Sequence, residues 1–185
     1  MVQRNRLFYT ALLFVGLIGG ASCTSSDSTE PASGTVHSYF SLEAFFLAEA
    51  NRLAKLAPTV SKTVSRNGAP ENKRVQIEDW KNELALFISS DINKPAWQNS
   101  YRVDSTAGSL VYTSIDPELR TQKITIDKHP NGNIKHIAIL NRAGNMLYKT
   151  IEQLDYYPDS LYQIDKQQQV RVIGDSQYLI KGSLY

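Results

Sequence analysis

Apolar positions along this 185-residue chain change their spacing twice. Residues 7–18 form an apolar run interrupted only by Thr10 and Gly16. Over residues 41–57, SLEAFFLAEANRLAKLA, the spacing becomes helical, with Leu42, Phe45, Phe46, Leu53 and Leu56 on one stripe, Ser41 placed to cap the start and Pro58 to stop the helix. Residues 79–90 repeat that spacing with Trp80, Leu84, Phe87 and Ile88 on one face, and Glu78 and Asp79 sit at the positive N-terminal end. Residues 59–66 alternate Val60 and Val64 with Thr and Ser, Asn67-Gly68 signals a turn, and residues 73–77 supply a return strand. From Tyr101 onward the period is two. Strands are expected near 101–105, 109–115, 122–129, 133–141, 146–156, 160–173 and 177–185, separated by Gly, Asn, Asp and Pro signals such as Asp116-Pro117, Gly144-Asn145 and Gly174-Asp175. The pattern predicts an α+β domain, two amphipathic helices packed on a curved antiparallel sheet of about six to nine strands.

One hairpin carries enough information to set its register. A two-residue turn at Asn131-Gly132 pairs Pro130 with Asn133, Asp127 with His136, Ile126 with Ile137 and Ile124 with Ile139. Four isoleucines then share one face, and a slip by one residue would mix them with Asp127 and His136, so burial should hold this register. The opposite face carries Asp127, His129, Ile134, His136, Ala138 and Leu140, joined by Leu147 and Ile151 from the next strand.

That mixed face is where chemistry would have to reside. Asp127, His129 and His136 on one strand surface would suit weak metal binding or proton transfer; the stronger reading is a solvated cross-strand pair beside a turn. No G-x-S-x-G, H-E-x-x-H, glycine-rich phosphate loop or cysteine metal spacing occurs. No catalytic residue, metal site or cofactor is therefore assigned. The face is read as an interaction surface, with Asp127, His136, Leu140 and Leu147 as its candidate residues, because exposed apolar groups rimmed by polar ones mark such surfaces.

The first apolar run decides the address. Arg4 and Arg6 precede it, small residues 19–22 follow it, and its 12 residues are too few for a bilayer span of roughly 20 but fit a cleavable signal peptide. Gly20-Ala21-Ser22-Cys23 resembles the lipobox of bacterial lipoproteins. The resemblance implies that Cys23 is diacylglycerylated, that the peptide before it is removed and that the new amino terminus is acylated. The other reading is an ordinary signal peptide cut after Ala21 or Ser22, leaving Cys23 as a free thiol. Cys23 is the only cysteine, so no intramolecular disulfide can form.

Removal of residues 1–22 takes away Arg4 and Arg6 and no acid, so 20 basic residues become 18 against 18 acidic ones. A formally neutral mature chain gives no support to nucleic-acid binding, which needs a clustered basic footprint. Residues 24–35, TSSDSTEPASGT, are small and polar, and read as a flexible tether holding the domain roughly 20 Å from the bilayer. The expected organisation is a signal peptide over 1–22, a lipid tether over 23–37 and one domain over 38–185. Thr24 after the cysteine, where an Asp would resemble an inner-membrane retention signal, points to the outer membrane, on its periplasmic face or at the cell surface. The functional expectation is an envelope lipoprotein acting as a non-enzymatic binding module. Its partners would be the membrane through the anchor and an envelope protein or apolar ligand. A carrier of a hydrophobic ligand and a hydrolase without a recognisable motif are the alternatives.

Overall fold

The computed structural model describes residues 39–185, so the expected signal peptide, Cys23 and tether lie outside the described residues. The first element is α1 (Leu42–Leu56). Ser41 accepts from the Ala44 N–H at its start, and Asp91 reinforces the cap by accepting from the Ser41 hydroxyl and the Glu43 N–H. The helix ends at Ala57, which turns left-handed (φ 47°) ahead of Pro58 and returns its N–H to the Leu53 carbonyl. Its buried residues are Leu42, Phe46, Ala50 and Leu53; Phe45 is half-buried to one side, and Leu56, expected on the same stripe, is exposed.

The second helix differs from expectation. In place of one helix over 79–90 there are two four-residue helices, α2 (Trp80–Glu83) and α3 (Ala85–Ile88), split at Leu84 with φ −94° and ψ 11°. Trp80, Leu84 and Phe87 are all inserted into the core, and pieces this short owe their shape to tertiary contacts rather than helix propensity.

Nine strands follow the period-two pattern: β1 (Thr59–Arg66), β2 (Ala69–Gln76), β3 (Tyr101–Ser105), β4 (Ser109–Ser114), β5 (Thr121–Lys128), β6 (Ile134–Gly144), β7 (Tyr148–Tyr157), β8 (Leu161–Val170) and β9 (Gly174–Leu184). They form one open antiparallel sheet in the order β2-β1-β9-β8-β7-β6-β5-β4-β3. From β3 to β9 this is the expected meander. The early hairpin of β1 and β2 joins it by pairing β1 with β9, Val60 opposite Leu184. Asn67 and Gly68, both at positive φ, make the β1–β2 turn a tight two-residue one, so β2 begins at Ala69, four residues before the expected start. Pro70 is tolerated because β2 is an edge strand with no further partner for its N–H side. Among the described residues, no helix is long and apolar enough to cross a membrane.

One sheet face carries the core: Tyr112, Ile124, Ile126, Ile137, Ile139, Leu154, Tyr156, Tyr162 and Ile164. Ring contacts link it to the helical segments, Phe46 to Tyr156 (5.1 Å), Phe87 to Tyr156 (6.0 Å) and Trp80 to Tyr162 (6.2 Å). Two of the buried phenols end on carboxylates: Tyr156 donates to Glu49 and Tyr162 to Glu83, each at 2.6 Å. Burial, then the carboxylate neighbour, pushes both phenols well above the ordinary tyrosine range. Burial alone would raise the Glu49 carboxyl too, but hydrogen bonds from Arg52 and Tyr156 outweigh it and hold Glu49 low. Gly182 lies directly beneath the Tyr162 ring, where a Cβ would collide with it.

Farther along that face a polar row crosses the strands, Thr121, Asn141, Glu152 and Lys166, each opposite the next. Glu152 is 5% exposed and takes Arg120 at 2.7 Å and Lys166 at 3.4 Å. Desolvation acts to raise its carboxyl, and the Arg120 hydrogen bond and charge, with Lys166, bring it below its usual range.

Candidate functional site

The strand alternation that buries Ile124, Ile137, Leu154 and Tyr162 turns the intervening residues to the other face. Register places Asp127 opposite His136, Leu140 opposite Lys123 and Gln153, Asp155 opposite Gln163, and Tyr157 opposite Leu161. The ring contacts of the helical segments with Tyr156 and Tyr162 are made on the core face, so among the described residues no helix covers this outer face, which bears half-buried and exposed side chains.

Its most ordered point is His136. The Nδ1 atom lies 3.3 Å from an Asp127 oxygen, Nε2 lies 2.8 Å from an Asp155 oxygen, and the ring stacks on Tyr157 at 4.2 Å between centroids and 13° between planes. The His136 side chain is 17% exposed, against 38% for Asp127 and 34% for Asp155. A neutral imidazole carries one N–H and can donate to one carboxylate at a time, whereas the protonated ring donates to both. The two nitrogens diverge, so the carboxylates grip opposite edges of the ring and do not converge on a common point. Among the described residues, no group of three or more His, Cys, Asp and Glu side chains is arranged to hold a metal ion. The arrangement instead fixes a polar centre in one orientation, with apolar Leu140, Tyr157 and Leu161 on the same face.

The sequence-derived site residues divide. Asp127 and His136 meet, and Leu140 shares their face. Leu147 does not: it lies in the β6–β7 turn, 63% exposed, beyond the end of the ladder. His129 is in the turn after β5, pairing with Asn133 through its backbone N–H at 2.8 Å. Ile134 changes sides. The loop is three residues long, Pro130 to Gly132, with Gly132 at φ +84°, and a bulge shifts the pairing so that Ile134 stands opposite Lys128 and packs toward the core. Pro130 has no N–H to pair with Asn133, which removes the bond that a two-residue turn would need.

Two members of the site were not foreseen, Asp155 and Tyr157. Their positions depend on the β6–β7 register, set by a loop over residues 145–147 in which the Asn145 side chain accepts from the N–H groups of Leu147 (2.8 Å) and of Tyr148 at the start of β7 (3.1 Å). An Asn folding its own loop in this way was the one available signal. No family model, curated protein or solved structure matches the chain.

Proposed function

We propose that this protein is an outer-membrane lipoprotein, anchored through Cys23, whose mature domain is a non-enzymatic binding module that receives an envelope protein on the outer face of its sheet. The observation that carries the reading is the His136 centre, held by Asp127, Asp155 and Tyr157 amid apolar Leu140 and Leu161, on the face away from the core. A polar group held in one orientation within an apolar surround supplies the register of an interface, and the apolar side chains supply the area removed from water. In this reading α1 and the α2–α3 segment form the layer that backs the sheet. The contacts of Phe46, Phe87 and Trp80 with Tyr156 and Tyr162 support that role, and they fill space that a carrier would keep for a ligand.

Leu140→Glu tests the face. On a free surface it leaves the melting temperature within a degree or two of wild type and removes whatever protein copurifies after gentle extraction. A fall of many degrees would show that the position is core, since a buried unpaired charge is strongly destabilising. A small molecule retained by the purified wild type would instead support the carrier. The anchor is tested by fatty-acid labelling, which Cys23→Ser should abolish.

A further inference from the structure

Large exposed side chains are concentrated at one end of the sheet. Met146 (86% exposed) and Leu147 (63%) form the β6–β7 turn, and Val172 (90%) and Ile173 (84%) form the β8–β9 turn. The two turns touch, because the Arg171 N–H donates to the Leu147 carbonyl at 3.0 Å. Turn positions normally carry Gly, Asn, Asp, Ser or Pro, for conformational reasons, and β-branched residues are disfavoured there. Neither stability nor turn geometry calls for four aliphatic side chains at adjoining tips, all pointing to water.

We propose that this double tip inserts into an anionic lipid surface. Lys149 and Arg171 flank it around a shallow depression of about 490 Å³, in which Asp175 is the acid, so the tip is aliphatic at its point and predominantly cationic at its shoulder. That order, apolar ahead and basic behind, matches the acyl chains and the headgroups of a bilayer. Met146 and Leu147 line that depression, and Val172 and Ile173 stand beside it 90% and 84% exposed, so the apolar point is free to enter an acyl layer. The inference rests on the tethered-lipoprotein reading: a short tether gives the domain a high effective concentration at the membrane, so an insertion too weak to act alone suffices.

The full-length protein, processed with its own leader, is reconstituted into phosphatidylethanolamine–phosphatidylglycerol vesicles. With Cys23 acylated, the parent protein has no free thiol, and a thiol-reactive polarity probe reports only an introduced cysteine. At Val172→Cys the probe should shift to the blue and be quenched by lipids brominated in their tails. At Ser160→Cys, in the β7–β8 turn at the opposite end of the sheet, it should stay water-like, and Ile173→Glu added to Val172→Cys should reverse the shift. A probe at position 172 as open to aqueous iodide as one at 160 overturns the proposal. Label taken up by the parent at Cys23 would mean that the tether reading has failed. The unacylated protein then tests the tip alone: sedimentation with phosphatidylglycerol vesicles that Ile173→Glu abolishes supports it, and no sedimentation overturns it.

Discussion

His136 and Glu152 show how differently two ionisable side chains can serve the same sheet. His136 stands on the outer face, hydrogen-bonded to partly exposed carboxylates and stacked on Tyr157, so His136→Ala should cost about 1–2 kcal/mol of unfolding free energy in a denaturant titration. Glu152 is buried on the core face, and its carboxyl is held below the ordinary range by Arg120 and Lys166 against the opposing effect of burial. Its folded value is depressed, so the stability it contributes is present above the unfolded carboxylate value of about 4.3 and is lost as pH falls through the folded value. Glu49 acts in the same direction. Unfolding followed against pH should therefore show a loss on the acid side that Glu152→Gln flattens, with a neutral-pH cost of about 1–3 kcal/mol for leaving its cations poorly matched. The raised phenols have the opposite sign. Tyr156 and Tyr162 stay un-ionised past the ordinary value of about 10, and an ultraviolet titration should find them ionising only together with alkaline unfolding. The Asp127–His136 pair was legible in the sequence from the two-residue period, although the turn assumed for it was not: the three-residue loop shifts the pairing and the bulge between Asp127 and Lys128 restores it; Glu152 was not legible, since nothing local distinguishes a buried acid from a solvated one.

Elements were read well where one face alone decides them. In α1 the cap at Ser41 and the stop before Pro58 are local, and both are present. The segment around Leu84 departs from its sequence reading: the helix breaks there, although Trp80, Leu84 and Phe87 are buried at the helical spacing expected of them. If that burial holds the broken segment in place, Trp80→Ala and Phe87→Ala should each cost about 3–5 kcal/mol in thermal or denaturant unfolding. Near-neutral values at both would show that the segment rests loosely on the core. Gly182→Ala probes the sheet from the other side: the added Cβ meets the Tyr162 ring, which is fully buried, and should cost about 1–3 kcal/mol through overpacking. The side taken by Ile134 could not be read from alternation, since the bulge after the Pro130–Gly132 loop reverses it. Met146 and Leu147 were placed in a strand for the same kind of reason. Their apolar character fits a ladder, and only the Asn145 side-chain bonds reveal a turn.

At the scale of the molecule, the α+β class and the meander from Tyr101 onward were legible, because consecutive antiparallel strands with short turns leave few alternatives. The docking of β1 onto β9 was not, as Val60 and Leu184 meet across most of the domain's sequence without a local signal. That pairing turns a seven-strand meander into a nine-strand sheet and leaves β2, with Pro70, Lys73 and Arg74, as one edge. Such residues protect an edge from pairing with another sheet, and the surface proposed for recognition is the outer face. Hydroxyl-radical footprinting, compared between intact cell envelopes and the purified wild-type protein, reads that surface directly. If the outer face is the binding surface, Leu140, Tyr157 and Leu161 should be several-fold less oxidised in the envelope, while Val103 on edge strand β3 and Ile115 beyond β4 are oxidised alike in both. Equal oxidation of Leu140, Tyr157 and Leu161 in envelope and solution would contradict the account.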